Sequence, residues 1–261
     1  MSLDIQQLEN ELSSLDLKTR IPVHGFNTIP STDRTAWELL ESGENPPFAV
    51  IASQQSAGRG QQGRQWLSEI GGLYLSLALE TDLTVEKAPH LVLATAWGIA
   101  SRLRSYRIPV RVKWPNDLVI DGKKLGGIKI ETRVRGENIS RAVIGVGINW
   151  RNRVPETGID LQTFFTGTGE SSIHSLEQLA AVTIAAIFSG YDYYLSKDIE
   201  GLLAVYLELF ANLGQRVSIA GNTGIVTGVS DRGELKVRLS SAGATTEIHL
   251  PTGTISLGYN R

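Results

Sequence analysis

Hydrophobic positions along the chain repeat with two periods, and the points where one gives way to the other outline the architecture. Near the start, Leu3, Leu8, Leu12 and Leu15 fall at spacings compatible with one helix face, which predicts a short helix over residues 3–15. Ser31-Thr32-Asp33 precedes RTAWELLESG, with N-cap chemistry at its start and Gly43 at its end, and predicts a second helix. FAVIAS (48–53) and LYLSLAL (73–79) read as strands, and HLVLATAWGIASRLRSY (90–106) as a helix with a broad packing face. VRVKW, LVID, GGIKIETR and RAVIGVGINW read as further strands, punctuated by hairpin turns at Asp121-Gly122 and Arg135-Gly136. LEQLAAVTIAAIFSGYDYYLSK and GLLAVYLELFANL then give two helical patterns.

The texture changes at Gly214. From there QRVSIA, GIVTGVS, ELKVRL, TTEIHL and GTISLG read as five short strands separated by turns, the pattern of a small barrel. The expected fold is therefore α+β: a short helical extension over 1–20, a mixed sheet with helices over 21–212, and a compact β domain over 213–261. No internal repeat is present.

Composition narrows the chemistry. With 41% hydrophobic and 20% charged positions in 261 residues, the chain can bury a large core. Its formal charge of -2 supplies no global basic field for nucleic acid, so any anion site must be local. The absence of cysteine excludes disulfides, thiolate metal sites and a cysteine nucleophile. His24, His90, His174 and His249 are scattered singly, without metal-ligand spacing. MSLDIQQLENELSSLDL has neither a basic start nor a long apolar run, so a cytoplasmic protein without membrane association is expected.

Two stretches carry chemistry. The first contains GRGQQG (58–63), a literal G-x-G-x-x-G. A dinucleotide fingerprint needs a helix opening on those glycines. Only nine residues lie between Gly63 and Leu73, ending in Gly71-Gly72, too few for a right-handed crossover. The glycines instead predict a backbone-lined loop between neighbouring strands, with Arg59 and Arg64 supplying charge for an anion. The second is RVKWPNDLVIDGKKLGGIKIET (111–132). A proline here removes a ladder donor and places Trp114-Pro115-Asn116-Asp117 at a strand end. Lys113, Asn116 and Asp117 put a cation, an amide and a carboxylate within one turn, and Lys124 returns on the next strand. Taken singly, these are turn formers, a core aromatic and solvated lysines; their joint occurrence with the glycine loop is what points to a site.

Five blocks together resemble the biotin–protein ligases: STD at 31–33, QQSAGRGQQGRQW at 54–66, KWPND at 113–117, KLGGI at 124–128 and GVGIN at 145–149. Their order and spacing match, they cover most of residues 25–150, and the β-rich tail fits that family's SH3-like domain. The resemblance implies a class II synthetase-like catalytic fold and a two-step reaction. Biotin and MgATP give biotinyl-5′-AMP and pyrophosphate, and a lysine of a biotin carboxyl carrier protein, an acetyl-CoA carboxylase subunit, then attacks the anhydride.

By the same resemblance, Ser31, Thr32 and Gln55 hydrogen-bond the ureido ring, with Asp33, Gly58, Gln61 and Gly127 around biotin. Arg59 and Gly60 belong to the loop closing over the adenylate, and Trp66 is a stacking surface for adenine. Lys124 bridges the biotin carboxylate and the α-phosphate, with Arg59 and Arg64 as further cations, and Lys113 and Asn149 beside ATP. Asn116 and Asp117 sit either by magnesium and phosphate or by the incoming lysine. No protein-held metal is expected, magnesium arriving with ATP. Asp33 and Gln61 depart from the family's asparagine and arginine, though Asp33 is still suited to capping the following helix. A lipoate or octanoate ligase shares the expected fold and chemistry. A biotin-responsive repressor would need a helix-turn-helix ahead of Ser31, where thirty residues hold one helical pattern, so no DNA partner is expected. The pattern is compatible with a monomer or a homodimer.

Overall fold

The computed structural model describes residues 3–169, 172–241 and 244–259. In chain order the elements are α1 (Ile5–Ser13), β1 (Val23–Ile29), α2 (Thr32–Glu41), β2 (Phe48–Gln55), β3 (Leu73–Thr84), α3 (Ala88–Ser105), β4 (Arg111–Lys113), β5 (Asp117–Ile120), β6 (Lys123–Arg135) and β7 (Asn138–Ile148). These are followed by α4 (Leu161–Thr168), α5 (Leu176–Leu209), β8 (Arg216–Ile219), β9 (Asn222–Val229), β10 (Leu235–Ser241) and β11 (Ala244–Leu250).

Seven strands form a mixed sheet in the order β1-β2-β3-β7-β6-β5-β4, and four form a separate sheet in the order β11-β10-β9-β8. Among the described residues, β1 and β2 pair in parallel and the other named strand pairs are antiparallel. The α+β expectation holds.

Strand alternation decides which face carries what. Successive side chains point to opposite faces, so Leu73, Leu75, Leu77 and Leu79 of β3 and Ile144, Val146 and Ile148 of β7 enter the main core with α1, α3 and α5. Val50, Ala78 and Val143 face the other way and meet Ala36 and Leu40 of α2 in a smaller cluster. One helix thus covers only part of the second face. The rest is open for a site.

Helices α3 and α5 cross at Gly98 and Gly190. A Cβ on Gly98 would lie 2.9 Å from the Gly190 Cα, so the backbones touch because both residues lack a side chain. Alanine at position 98 would gain roughly 0.5–1 kcal/mol of helix propensity, but overpacking a close crossing costs about 1–3 kcal/mol. The expected outcome of Gly98→Ala is a lower urea midpoint with an unchanged m-value. Further along, α5 is two helices end to end, since Asp198 leaves helical space (φ 57°, ψ -167°). Its side chain accepts from Glu200 N at 2.9 Å and so restarts the helix. This matches the two helical patterns in the sequence.

Three elements differ from expectation. The first, β1, is an unanticipated edge strand, half-exposed and without a buried alternation to announce it. The helix α4 is also new, capped by Asp160, whose carboxylate accepts from Thr163 N at 2.9 Å. The fifth barrel strand expected over 253–258 is absent. Pro251 closes β11, Thr254 N turns back to Pro251 O at 3.2 Å, and the tail leaves the sheet to bury Leu257 in the main core. The turn expected around SAGA falls partly outside the described residues. Among the described residues no helix is long and apolar enough to cross a membrane.

Candidate active site

Two rows of residues cross the open face. In register, Ala52, Tyr74, Gly147, Gly127, Asp117 and Lys113 run from β2 through β3, β7, β6 and β5 to β4. Beside them run Val50, Ser76, Gly145 and Lys129. In GVGIN the two glycines face the open side while Val146 and Ile148 enter the core. In GGIKIE, Gly127, Lys129 and Glu131 share that same side.

The missing side chains make the room. A Cβ on Gly147 would come within 2.5 Å of Trp66 Nε1, and one on Gly127 within 3.4 Å of the same ring. One on Gly145 would overlap the Asp33 carboxylate. Trp66 therefore lies flat over glycines. Its buried Nε1 has no hydrogen-bond partner among the described residues.

Trp66, Lys124, Asn116, Gly60 and Gln61 border two adjoining cavities. The larger, roughly 280 Å³, is lined also by Lys113, Asp117, Arg64, Asn149, Arg153 and the C-terminal tail. The smaller, about 60 Å³, is lined also by Thr32, Asp33, Gln55, Arg59, Gly127 and Lys129. Ser31 and Gly58 line neither. Ser31 is the N-cap of α2 by position, and Gly58 packs under the Ser68 hydroxyl and the Trp66 carbonyl.

In the larger cavity Asp117 accepts from Lys124 Nζ at 2.7 Å through Oδ1, and Lys113 Nζ stands 3.6 Å from Oδ2. The Tyr259 phenol donates to Oδ2, and Lys113 Nζ sits 3.9 Å above the Tyr259 ring. Burial lowers the Lys113 pKa below the usual lysine value, opposed by Asp117 and reinforced by Lys124. Burial, then the Asp117 charge, raises that of the Tyr259 phenol, which keeps it a proton donor. Asn149 faces the cavity, but its amide donates to Lys124 O at 3.3 Å and Ile159 O at 3.2 Å, so it fixes the strand bearing Lys124. Asn116 donates to Ile128 O at 2.6 Å.

At the smaller cavity Gln55 Oε1 accepts from Thr32 N at 2.8 Å and lies 3.2 Å from Thr32 Oγ1, while Gln55 Nε2 donates to Ser68 at 2.8 Å. Ser76 Oγ lies 2.7 Å from Thr32 Oγ1 and 2.6 Å from Asp33 Oδ1. Asp33 does not cap α2, as the sequence suggested. The helix starts two residues earlier, with Ser31 at the N-cap position, which turns the Asp33 carboxylate into the pocket.

The glycine loop is the expected backbone-lined connection between neighbouring antiparallel strands. Gly60 N donates to Arg64 O at 2.7 Å and Trp66 N to Gly58 O at 3.0 Å, around a single turn at Gln61–Gly63. Arg59 and Arg64 project into solvent at the cavity mouths. Three parts of the site escaped the sequence reading. Lys129 was marked only by its alternation with Gly127, whereas the Asn152–Gly158 loop and the tail through Tyr259 carried no signal of their own.

Residues 25–149 match the model of the biotin/lipoate A/B protein ligase family. The bifunctional ligase/repressor BirA of Salmonella typhimurium is 31% identical over 239 residues, covering 89% of this chain and 72% of the relative. That of Bacillus spizizenii is 31% identical over 158 residues, covering 60% of this chain and 49% of the relative. The chain thus spans about half the length of the Bacillus relative. A biotin protein ligase from Aquifex aeolicus, solved with biotin and ATP, superposes with a TM-score of 0.67 at 22% identity over 87% of this chain and 99% of that one. On this sequence similarity, carried by the blocks that build the two cavities, the chain belongs to the biotin/lipoate A/B protein ligase family.

Proposed function

We propose that the chain is an ATP-dependent biotin–protein ligase that makes biotinyl-5′-AMP and passes biotin to a lysine of a biotin carboxyl carrier protein. The observation that carries this reading is Lys124, shared by a small cavity with a polar end and a larger one lined by cations. A carboxylate reaching out of the first meets a phosphate lying in the second at that ammonium. Two anions repel, and a preorganised ammonium aimed at the charge developing on the α-phosphate offsets the repulsion. Relatives named for ligation and the five sequence blocks support the same assignment.

In this reading Thr32, Asp33 and Gln55 surround the ureido ring, whose polar groups each lose about 1–3 kcal/mol if buried unpaired. The hairpin carrying Arg59, Gly60, Gln61 and Arg64 covers the anhydride and excludes water. Trp66 offers a stacking face and Lys113 a second cation. Asp117 receives the incoming ammonium and takes part in removing its proton. Asp117 is the one carboxylate bordering the larger cavity among the described residues, and no cluster of three metal-type ligands occurs among them. That donor set fits a magnesium ion delivered by the triphosphate, whose charge it would neutralise. We place the reaction in the cytoplasm, where ATP and the carrier are made, with residues 21–212 as the catalytic unit and 213–261 as an SH3-like unit.

The test is pyrophosphate release with ATP and magnesium, supplied with biotin or with lipoate. Release with biotin alone is the expected result. Release with lipoate alone would replace the reading by the sister activity of the family.

A further inference from the structure

The smaller cavity is bordered by a charged cluster of which the proposed chemistry uses only Asp33. Lys129 Nζ lies 2.6 Å from Glu131 and 3.2 Å from Asp33. Glu131 also accepts from Trp37 Nε1 at 2.7 Å. Asp33 is 7% exposed, and its two oxygens face Ser76 Oγ and Lys129 Nζ. Two of these three charged groups, Asp33 and Lys129, line the cavity.

We infer that Lys129 is a specificity-determining positioning residue, which holds the Asp33 carboxylate charged and oriented so that the pair reads a ligand head group carrying N–H donors beside a carbonyl acceptor. The inference rests on the biotin-ligase reading and assigns the recognition of its cyclic urea. A carboxylate accepts two hydrogen bonds per oxygen and an ammonium donates three. Asp33 Oδ1 has one partner in Ser76 and Oδ2 one in Lys129, so each retains acceptor capacity. Lys129 spends two donors on Glu131 and Asp33, leaving the third for a carbonyl. A dithiolane or a plain alkyl chain supplies neither half of that match, and would leave both groups buried and unmatched.

The directions of titration agree with the geometry. Burial pushes the Asp33 carboxyl up, against Ser76 and Lys129, which draw it down. For Lys129 burial works against the charge, but the hydrogen bond to Glu131 and the two carboxylates outweigh it and lift the ammonium above its usual value. The two differ because Asp33 is the more deeply buried, whereas Lys129 is nearer solvent and has two carboxylates to offset its burial. Asp33 is the carboxylate that needs help. A purely structural clamp between α2 and β6 would use Glu131, Lys129 and Trp37 equally well, and would leave substrate choice untouched.

The experiment compares native protein, Lys129→Met and the double variant Asp33→Asn/Lys129→Met, measuring biotin binding by calorimetry, KM for biotin and for ATP, and thermal unfolding. Methionine keeps the length of the stem but removes the ammonium. An ionised carboxylate left unpaired in a buried site is strongly disfavoured, so Lys129→Met is expected to weaken biotin binding by about tenfold or more. KM for ATP should move far less. The double variant needs no counter-ion and should recover most of the biotin affinity. Native affinity in Lys129→Met would overturn the inference. So would a double variant that binds biotin no better than Lys129→Met, or equal losses in KM for both substrates with a fallen unfolding temperature. A native protein that turns over no biotin would instead remove the ligase reading itself, and this inference with it.

Discussion

Replacing Lys124 by alanine is expected to cut pyrophosphate release by about 10²–10³-fold, the usual loss when one preorganised charge-stabilising donor is removed. The fold should survive. The backbone of Lys124, not its side chain, ties the strand to its neighbour, with Lys124 N donating to Thr157 O at 2.8 Å and Ile159 N donating to Lys124 O at 2.9 Å. The side chain is 27% exposed, and Asp117 keeps Lys113 and the Tyr259 phenol after Lys124 is gone. Partly exposed ion pairs contribute only about 0–1 kcal/mol. A denaturation midpoint near native, together with lost adenylate formation, is therefore the expected pair of measurements. Native pyrophosphate release would show that the carboxylate and the phosphate do not meet at this ammonium.

Gly147→Ala is expected to lower adenylate formation by about 10²-fold without adding or removing any charged group. The new methyl would stand 2.5 Å from Trp66 Nε1, 2.6 Å from Cε2 and 2.8 Å from Cζ2, so the indole has to rise off the sheet. Trp66 borders both cavities, and its displacement moves the wall against which the two substrates would be aligned. A misplacement of about 1 Å is enough for a loss of that size. Because Trp66 sits on a solvent-facing hairpin, the clash can be relieved without disturbing the core, and stability should change by less than about 1 kcal/mol. Gly167→Ala is the control, since a Cβ there meets nothing within 4 Å. Full activity in Gly147→Ala would mean that Trp66 plays no part in alignment.

What could be read from the sequence was what repeats or clusters locally. The strands from β2 to β7 announced themselves by apolar runs, and Asp121-Gly122 and Gly136 by the positive φ that their hairpin turns require. Lys113, Asn116 and Asp117 were legible because eleven residues hold them beside Lys124. The strand β1 was not, because an edge strand with half-exposed side chains buries too little to leave a period. Asn149, expected beside ATP, borders the larger cavity, but whether its amide faced a ligand or the backbone depended on where Ile159 returned. The Lys129–Asp33 pair joins residues 96 positions apart, and Tyr259 meets Asp117 across 142. No local pattern encodes such meetings, because they are set by the packing of whole elements.

The contact between Tyr259 and Asp117 also bears on when this site comes into being. Lys113, Asp117 and Lys124 leave the ribosome early and can pair within their own hairpin. The phenol that caps the carboxylate follows 142 residues later. At about 5–20 residues per second that is a wait of roughly 7–30 s. Throughout it the nascent chain carries the site's cations and carboxylate without their cap, so the last step in building the site is a matter of synthesis as well as of folding.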